Sequence, residues 1–156
     1  MVDSTPGTLA HASIEVRWTG GLAFEAGRAQ GATLRIDGEG REAPSPFDAL
    51  LAAIASCAAV DVLTILEKQR TPVQALQIAV EARRVDATPR RLAAALLHFR
   101  IRAPGTTLEK ATRAVELSVS KYCSVRSSLA GDIPVTWQVE LAGELGGQPP
   151  VASRSA

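Results

Sequence analysis

The chain has 156 residues, 46% of them apolar, with 17 Lys and Arg against 16 Asp and Glu for a formal net charge of +1. That length fits one domain at the usual ~100–200 residues, with a core that needs no staples. The balanced charge offers no basic stripe for a phosphate backbone, so no nucleic-acid partner is expected. Two cysteines, Cys57 and Cys123, are too few for a disulfide scaffold. Two histidines, His11 and His98, without close Cys/His spacing support no metal site.

Residues 1–11 read as a flexible N-terminus. Met1-Val2-Asp3-Ser4-Thr5-Pro6 carries neither the positive segment nor the apolar segment of a secretory signal, so a soluble, cytoplasmic protein is expected. Ile14, Val16 and Trp18 alternate with Glu15 and Arg17, as in a half-buried strand. Gly20-Gly21 then makes a turn, and Leu22-Ala23-Phe24 runs back. A third strand covers about Ala32 to Ile36, before the turn residues Asp37-Gly38-Glu39-Gly40.

Ser45-Pro46-Phe47-Asp48 is the clearest helix start. Ser45 can cap, Pro46 suits the first helical position, and Asp48 stands where a capping-box acid belongs. From Ala49 to Lys68 the helix is apolar around nearly its whole circumference, a pattern that requires enclosure by protein. The run Ala49–Val60 is shorter than the ~20 residues a membrane helix needs, so it reads as a core helix and no membrane association is expected. One chain of this size is a poor wrapper for so long an apolar rod, so a partner subunit is expected to cover part of it.

Pro72 closes the helix. Leu76, Ile78, Val80 and Ala82 share one face of an extended segment, and Leu97, Phe99 and Ile101 share one face of the next, with residues 83–91 connecting them. Thr106 and Glu109 read as a second capping box, opening a helix with the stripe Leu108, Ala111, Val115, Val119 and Tyr122. Gly131 stops that pattern. Ile133, Val135, Trp137, Val139 and Leu141 form a last strand, and residues 142–156 are expected to be a disordered tail. The predicted fold is α+β with a mainly antiparallel sheet, in one domain over residues 12–141.

Few side chains offer chemistry. In apolar surroundings Cys57 is an inert thiol with a raised pKa, packing like a small hydrophobe. Cys123 has the same reading, or is a responsive thiol if a short helix restarts at Ser124 and turns its N–H groups toward the sulfur. Spacing alone does not show whether the two cysteines meet. Asp61, one turn after Cys57, is expected to pair with an Arg. Asp48 lies nine positions before Cys57, which favours capping, and His98 is expected at the surface.

Two segments together resemble a known family. Residues 45–62, Ser45-Pro46-Phe47-Asp48 through Ser56-Cys57-Ala58-Ala59-Val60-Asp61-Val62, resemble the cysteine helix of the OsmC/Ohr family, the osmotically inducible protein C and organic hydroperoxide resistance proteins. Ser120-Lys121-Tyr122-Cys123-Ser124-Val125 resembles the family's second cysteine segment, and Trp18-Thr19-Gly20-Gly21 its N-terminal portion. The resemblance implies antiparallel sheets wrapped around long central helices in an intertwined homodimer. It implies a thiol-dependent peroxidase acting on organic hydroperoxides, with Cys57 as peroxidatic and Cys123 as resolving thiol. An external dithiol would regenerate the pair, and the family's usual reductants point to a lipoylated protein. No metal or organic cofactor is implied.

The organic hydroperoxide resistance branch carries an Arg after the N-terminal glycine pair and a Glu early in the cysteine helix. Here Leu22 and Phe47 stand at those places. The chain therefore looks nearer a less characterised OsmC-like branch, with Asp48 as the candidate acid and Arg17, Arg28, Arg35 or Arg41 as the candidate cation. The competing reading is a non-catalytic dimer that binds a small hydrophobic ligand or senses redox state.

Overall fold

The computed structural model describes residues 11–143. The expectations for residues 1–10 and 144–156 lie outside the described residues. The chain divides between Leu50 and Leu51 into two compact units.

The first unit is an antiparallel sheet of β1 (Glu15–Gly20), β2 (Ala23–Gly27) and β3 (Thr33–Asp37) in sequence order. The glycine pair makes the expected turn because Gly20 and Gly21 both adopt positive φ, 122° and 54°. The register sets Val16, Ala26 and Leu34 across from one another, and likewise Trp18, Phe24 and Ile36. One face is thus apolar, and the other carries Arg17, Glu25 and Arg35. Much of the apolar face is uncovered, since Val16, Trp18 and Leu34 are exposed.

Asp37 anchors the exit from this sheet. Its carboxylate accepts the N–H groups of Glu39 (2.9 Å), Arg41 (2.9 Å) and Glu42 (3.0 Å). Ser45 and Asp48 then form the predicted capping box. Asp48 Oδ2 accepts from Ser45 N at 3.0 Å and Ser45 Oγ at 2.7 Å, while Asp48 N donates back to Ser45 Oγ at 3.1 Å.

Helix α1 spans Pro46–Lys68, 23 residues, and by length and composition alone is long enough to cross a bilayer, unlike the shorter run singled out from the sequence. One stripe of it, Ile54, Ala55, Ala58, Val62 and Leu66, is buried by protein, whereas Val60 and Leu63 on another side are exposed. The helix ends where Arg70 turns left-handed (φ 61°) and Thr71 N reaches back to Leu66 O at 3.0 Å, ahead of Pro72.

The second unit holds β4 (Ala75–Arg84), β5 (Leu92–Arg102), α2 (Leu108–Leu117), a π-helical turn (Ser118–Tyr122), α3 (Ser124–Ser127) and β6 (Val135–Leu141). Its sheet runs β4-β5-β6. The β4–β5 pair is antiparallel and β6 lies parallel to β5, so three of the four strand pairs are antiparallel, as expected, but they are divided between two sheets. The parallel pairing follows from the helical connection from Leu108 to Ser127, long enough to carry the chain back to the starting end before β6 begins. Leu97, Phe99 and Ile101 of β5 form the fully buried centre with Val115 of α2 and Val62 and Leu66 of α1. His98 faces the other way, half-buried, with Nε2 3.3 Å from Glu81 Oε1.

Two local expectations at α2 need correction. The cap is Thr107 rather than Thr106, since Thr107 Oγ1 accepts Lys110 N at 3.3 Å. The stripe also breaks before Tyr122, which is exposed, while Cys123 is buried. The π turn adds one residue to the helical circuit, and that shifts the inward position from Tyr122 to Cys123.

The N–H groups of Glu42, Glu39 and Arg41 hold the Asp37 carboxyl below its ordinary value. A depressed folded-state pKa contributes stability that is present above the unfolded pKa and lost as pH falls through the folded one. Acid unfolding followed by circular dichroism should therefore show a contribution between those two pH values in the wild type that is absent from Asp37→Asn. Asp37→Asn should also be less stable at neutral pH, and equal stability of the two proteins there would count against the carboxylate's role.

Candidate active site

Cys57 sits midway along α1, beside the buried Ala58 and one turn from the buried Ile54. It is half-buried. Cys123 closes the π turn, donating its N–H to Ser118 O at 2.8 Å, and is only 1% exposed. Its extended backbone (φ −66°, ψ 103°) makes it the N-cap of α3, and its Sγ accepts Arg126 N at 3.3 Å. The helix expected to restart at Ser124 is present.

That restart brings the two cysteines together. Cys57 Sγ lies 3.8 Å from Ser124 Oγ, and Cys123 Sγ lies 3.9 Å from Ile54 O, one turn before Cys57. The two thiols are near enough for each to shift the other's titration. Both thiols are reduced.

Burial pushes the Cys57 thiol up, but it is outweighed. The Val125 N–H, the Cys123 thiol, and the hydroxyl and N–H of Ser124 all favour the anion, and the net result is a pKa below the ordinary thiol value. Cys123 goes the other way. Burial raises it, and the neighbouring Cys57 charge adds to the rise, while the Arg126 and Val125 N–H groups only partly oppose it. The two titrations are linked, and Cys57 is the more acidic of the pair. The N–H groups at the start of α3 favour the anion at both sulfurs; at Cys57 they help to outweigh burial, and at Cys123 burial prevails.

Asp61 meets Ser118 rather than the expected Arg. Ser118 Oγ lies 3.3 Å from Asp61 Oδ2 and donates to Ala58 O at 2.9 Å. Asp48 is engaged in the capping box, nine residues before Cys57 on the same helix. Of the candidate cations, Arg17 pairs with Glu25, Arg35 with Glu42 at 2.8 Å, and Arg41 with Glu39. The Arg126 guanidinium donates to Ile133 O at 3.1 Å. Among the described residues no three of His, Cys, Asp or Glu come together as metal ligands. The sequence reading missed Ser124 and Val125 as donors to Cys57, and Ser118 as a link between the segments. The available signal was the polar Ser124 directly after Cys123 at a helix start.

Comparison with known proteins gives a consistent picture. The family model described as OsmC-like protein matches residues 38–138. Protein YhfA of Escherichia coli (strain K12) is 35% identical over 127 residues, 81% of this chain and 95% of its own length. An OsmC-like protein from Mycoplasma pneumoniae shares the fold at a TM-score of 0.72 and 18% identity, with 85% of this chain and 97% of that one covered. An organic hydroperoxide resistance protein OsmC from Legionella pneumophila does so at a TM-score of 0.62 and 17% identity, over 85% and 98% of the two chains.

Removing a donor should raise the Cys57 pKa. Ser124→Ala, which loses the hydroxyl but keeps the N–H, should shift the pH midpoint of thiolate ultraviolet absorbance upward and slow alkylation of Cys57 at neutral pH. Cys123→Ala should shift it in the same direction. An unchanged midpoint in both variants would remove these groups from the account of the thiolate.

Proposed function

The chain belongs to the OsmC-like protein family, and on that premise we propose that it is a two-cysteine, thiol-dependent peroxidase of organic hydroperoxides. The observation that carries this reading is the split between the sulfurs: a lowered Cys57 against Ser124, beside a raised, buried Cys123. A peroxidatic thiol must be an anion to attack, whereas its partner is best kept protonated until needed.

In the first step the Cys57 thiolate attacks the terminal peroxide oxygen. The O–O bond breaks, the alkoxide leaves and takes a proton from water, and Cys57 becomes a sulfenic acid. In the second step Cys123 attacks Cys57 Sγ. The hydroxyl departs with the Cys123 proton as water, and a Cys57–Cys123 disulfide forms. An external dithiol then reduces that disulfide by exchange and is itself oxidised, leaving two thiols. A lipoylated protein fits this last role by family resemblance. The half-buried Ala53, one turn before Cys57, suits a substrate with an apolar tail.

The same reading makes the protein a cytoplasmic homodimer. Val60 of α1 is 62% exposed and Trp18 of β1 is 67% exposed, although both lie in apolar rows. Covering each such side chain is worth roughly 1.5–3 kcal/mol, which supports burial of these rows against a second copy.

Treatment with a stoichiometric organic hydroperoxide, followed by mass spectrometry of the cysteine peptides, tests the chemistry. Wild type should yield a Cys57–Cys123 disulfide, Cys123→Ser should accumulate a sulfenic acid on Cys57, and Cys57→Ser should consume no peroxide while staying folded. Unmodified thiols in the wild type would leave the non-catalytic reading instead. For the assembly, light scattering should give a dimer for wild type and a smaller species for Val60→Glu. A monomeric wild type would refute the dimer.

A further inference from the structure

Ser118 is fully buried, and its two oxygens do different jobs. Its hydroxyl donates to Ala58 O at 2.9 Å, the carbonyl of the residue after Cys57. Its own carbonyl accepts Cys123 N at 2.8 Å, the long bond that makes this turn π-helical. Each residue advances an α-helix by about 100°, so without the extra residue in that turn Cys123 would sit well round from its present inward position. The turn therefore aims Cys123, and the hydroxyl fastens the turn to the segment that carries Cys57.

We propose that Ser118 is a positioning residue for disulfide formation, its hydroxyl and carbonyl together tying the Cys57 and Cys123 segments and setting the approach of the two sulfurs. The inference rests on the two-cysteine reading above and adds to it the part that makes the second step fast. A disulfide tolerates only a narrow range of Cα separation, roughly 4.4–6.8 Å, and of torsion angle, so where the π turn sits along α1 decides whether the pair can close. Ser118 touches neither sulfur through its side chain, so its effect is on how often the thiols meet rather than on the charge of either.

The test equilibrates the reduced full-length protein with mixtures of reduced and oxidised dithiothreitol, then quenches with acid and counts free thiols by mass spectrometry. Formation of the disulfide takes two electrons from Cys57 and Cys123 and returns two thiols to the dithiothreitol, so the ratio reports the effective concentration of one cysteine toward the other. Ser118→Ala should lower that concentration by about tenfold or more, in line with the penalty for slight misplacement of reacting groups. Ser118→Thr, which keeps the hydroxyl, should stay near wild type, and Ser118→Val, similar to it in size, should fall with Ser118→Ala. The Thr and Val pair decides the matter even if the smaller side chain unfolds the protein. Ser118→Ala or Ser118→Val behaving as wild type, or Thr falling together with Val, would overturn the proposal. Hydroperoxide turnover is scored separately. A wild type that forms the disulfide with dithiothreitol but consumes no peroxide sinks the peroxidase and leaves the Ser118 tie standing. Turnover by a wild type whose Ser118→Ala variant oxidises equally well sinks only the tie.

Discussion

Burial opposes charge on Cys57, and the proposed chemistry depends on that opposition being overcome locally. A sulfur on an apolar helix is ordinarily a neutral, inert thiol. Here groups of one short stretch favour its anion: the N–H groups of Ser124 and Val125, the Cys123 thiol, and the Ser124 hydroxyl 3.8 Å from the sulfur. Such groups are fixed by the backbone before any substrate arrives, so they favour the anion without reorganising at the moment of reaction. A hydroxyl, a thiol and two amides thus favour the anion without bringing a guanidinium's full charge and its desolvation penalty into the apolar surroundings.

The same contacts explain why the two thiols differ. The Cys123 thiol favours the Cys57 anion, and a charge on Cys57 in turn disfavours one on Cys123. The asymmetry comes from the pair itself together with the direction in which α3 points.

Much of this was legible in the sequence, for identifiable reasons. Period-two alternation marked β1 and β6, and the Ser45–Asp48 box marked the start of α1, because these are local signals that tertiary packing leaves intact. The identity of the two cysteines was legible from the segments around them. Their meeting was not, since residues 57 and 123 are joined only by tertiary structure. The parallel course of β6 was hidden because strand direction follows from how the intervening helices fold back, not from the strand's own residues. The π turn was hidden for a different reason. The stripe Leu108, Ala111, Val115, Val119, Tyr122 satisfies an α-helical period throughout, and nothing in its residue types announces the added residue that turns Tyr122 out and Cys123 in. Asp61 failed in a third way, since a carboxylate on an apolar helix called for a cation and the fold supplied the hydroxyl of Ser118.

Residues 118–126 therefore carry several roles at once. Ser118 ties the turn to α1, Cys123 is both helix cap and a thiol that favours the Cys57 anion, and Ser124 and Val125 supply the remaining dipoles. Groups that share partners do not act independently, and their contributions are not additive. Displacing the π turn would move the Cys123 thiol and the α3 N–H groups together, weakening the anion and the approach of the second sulfur in one step. The cost of such sharing is that no residue of the segment can be exchanged for one purpose alone. Its benefit is that a single rigid turn sets both the reactivity of Cys57 and the reach of Cys123, so the two cannot drift apart separately. On this account the added residue in the π turn is the structural feature on which the pairing of the cysteines rests.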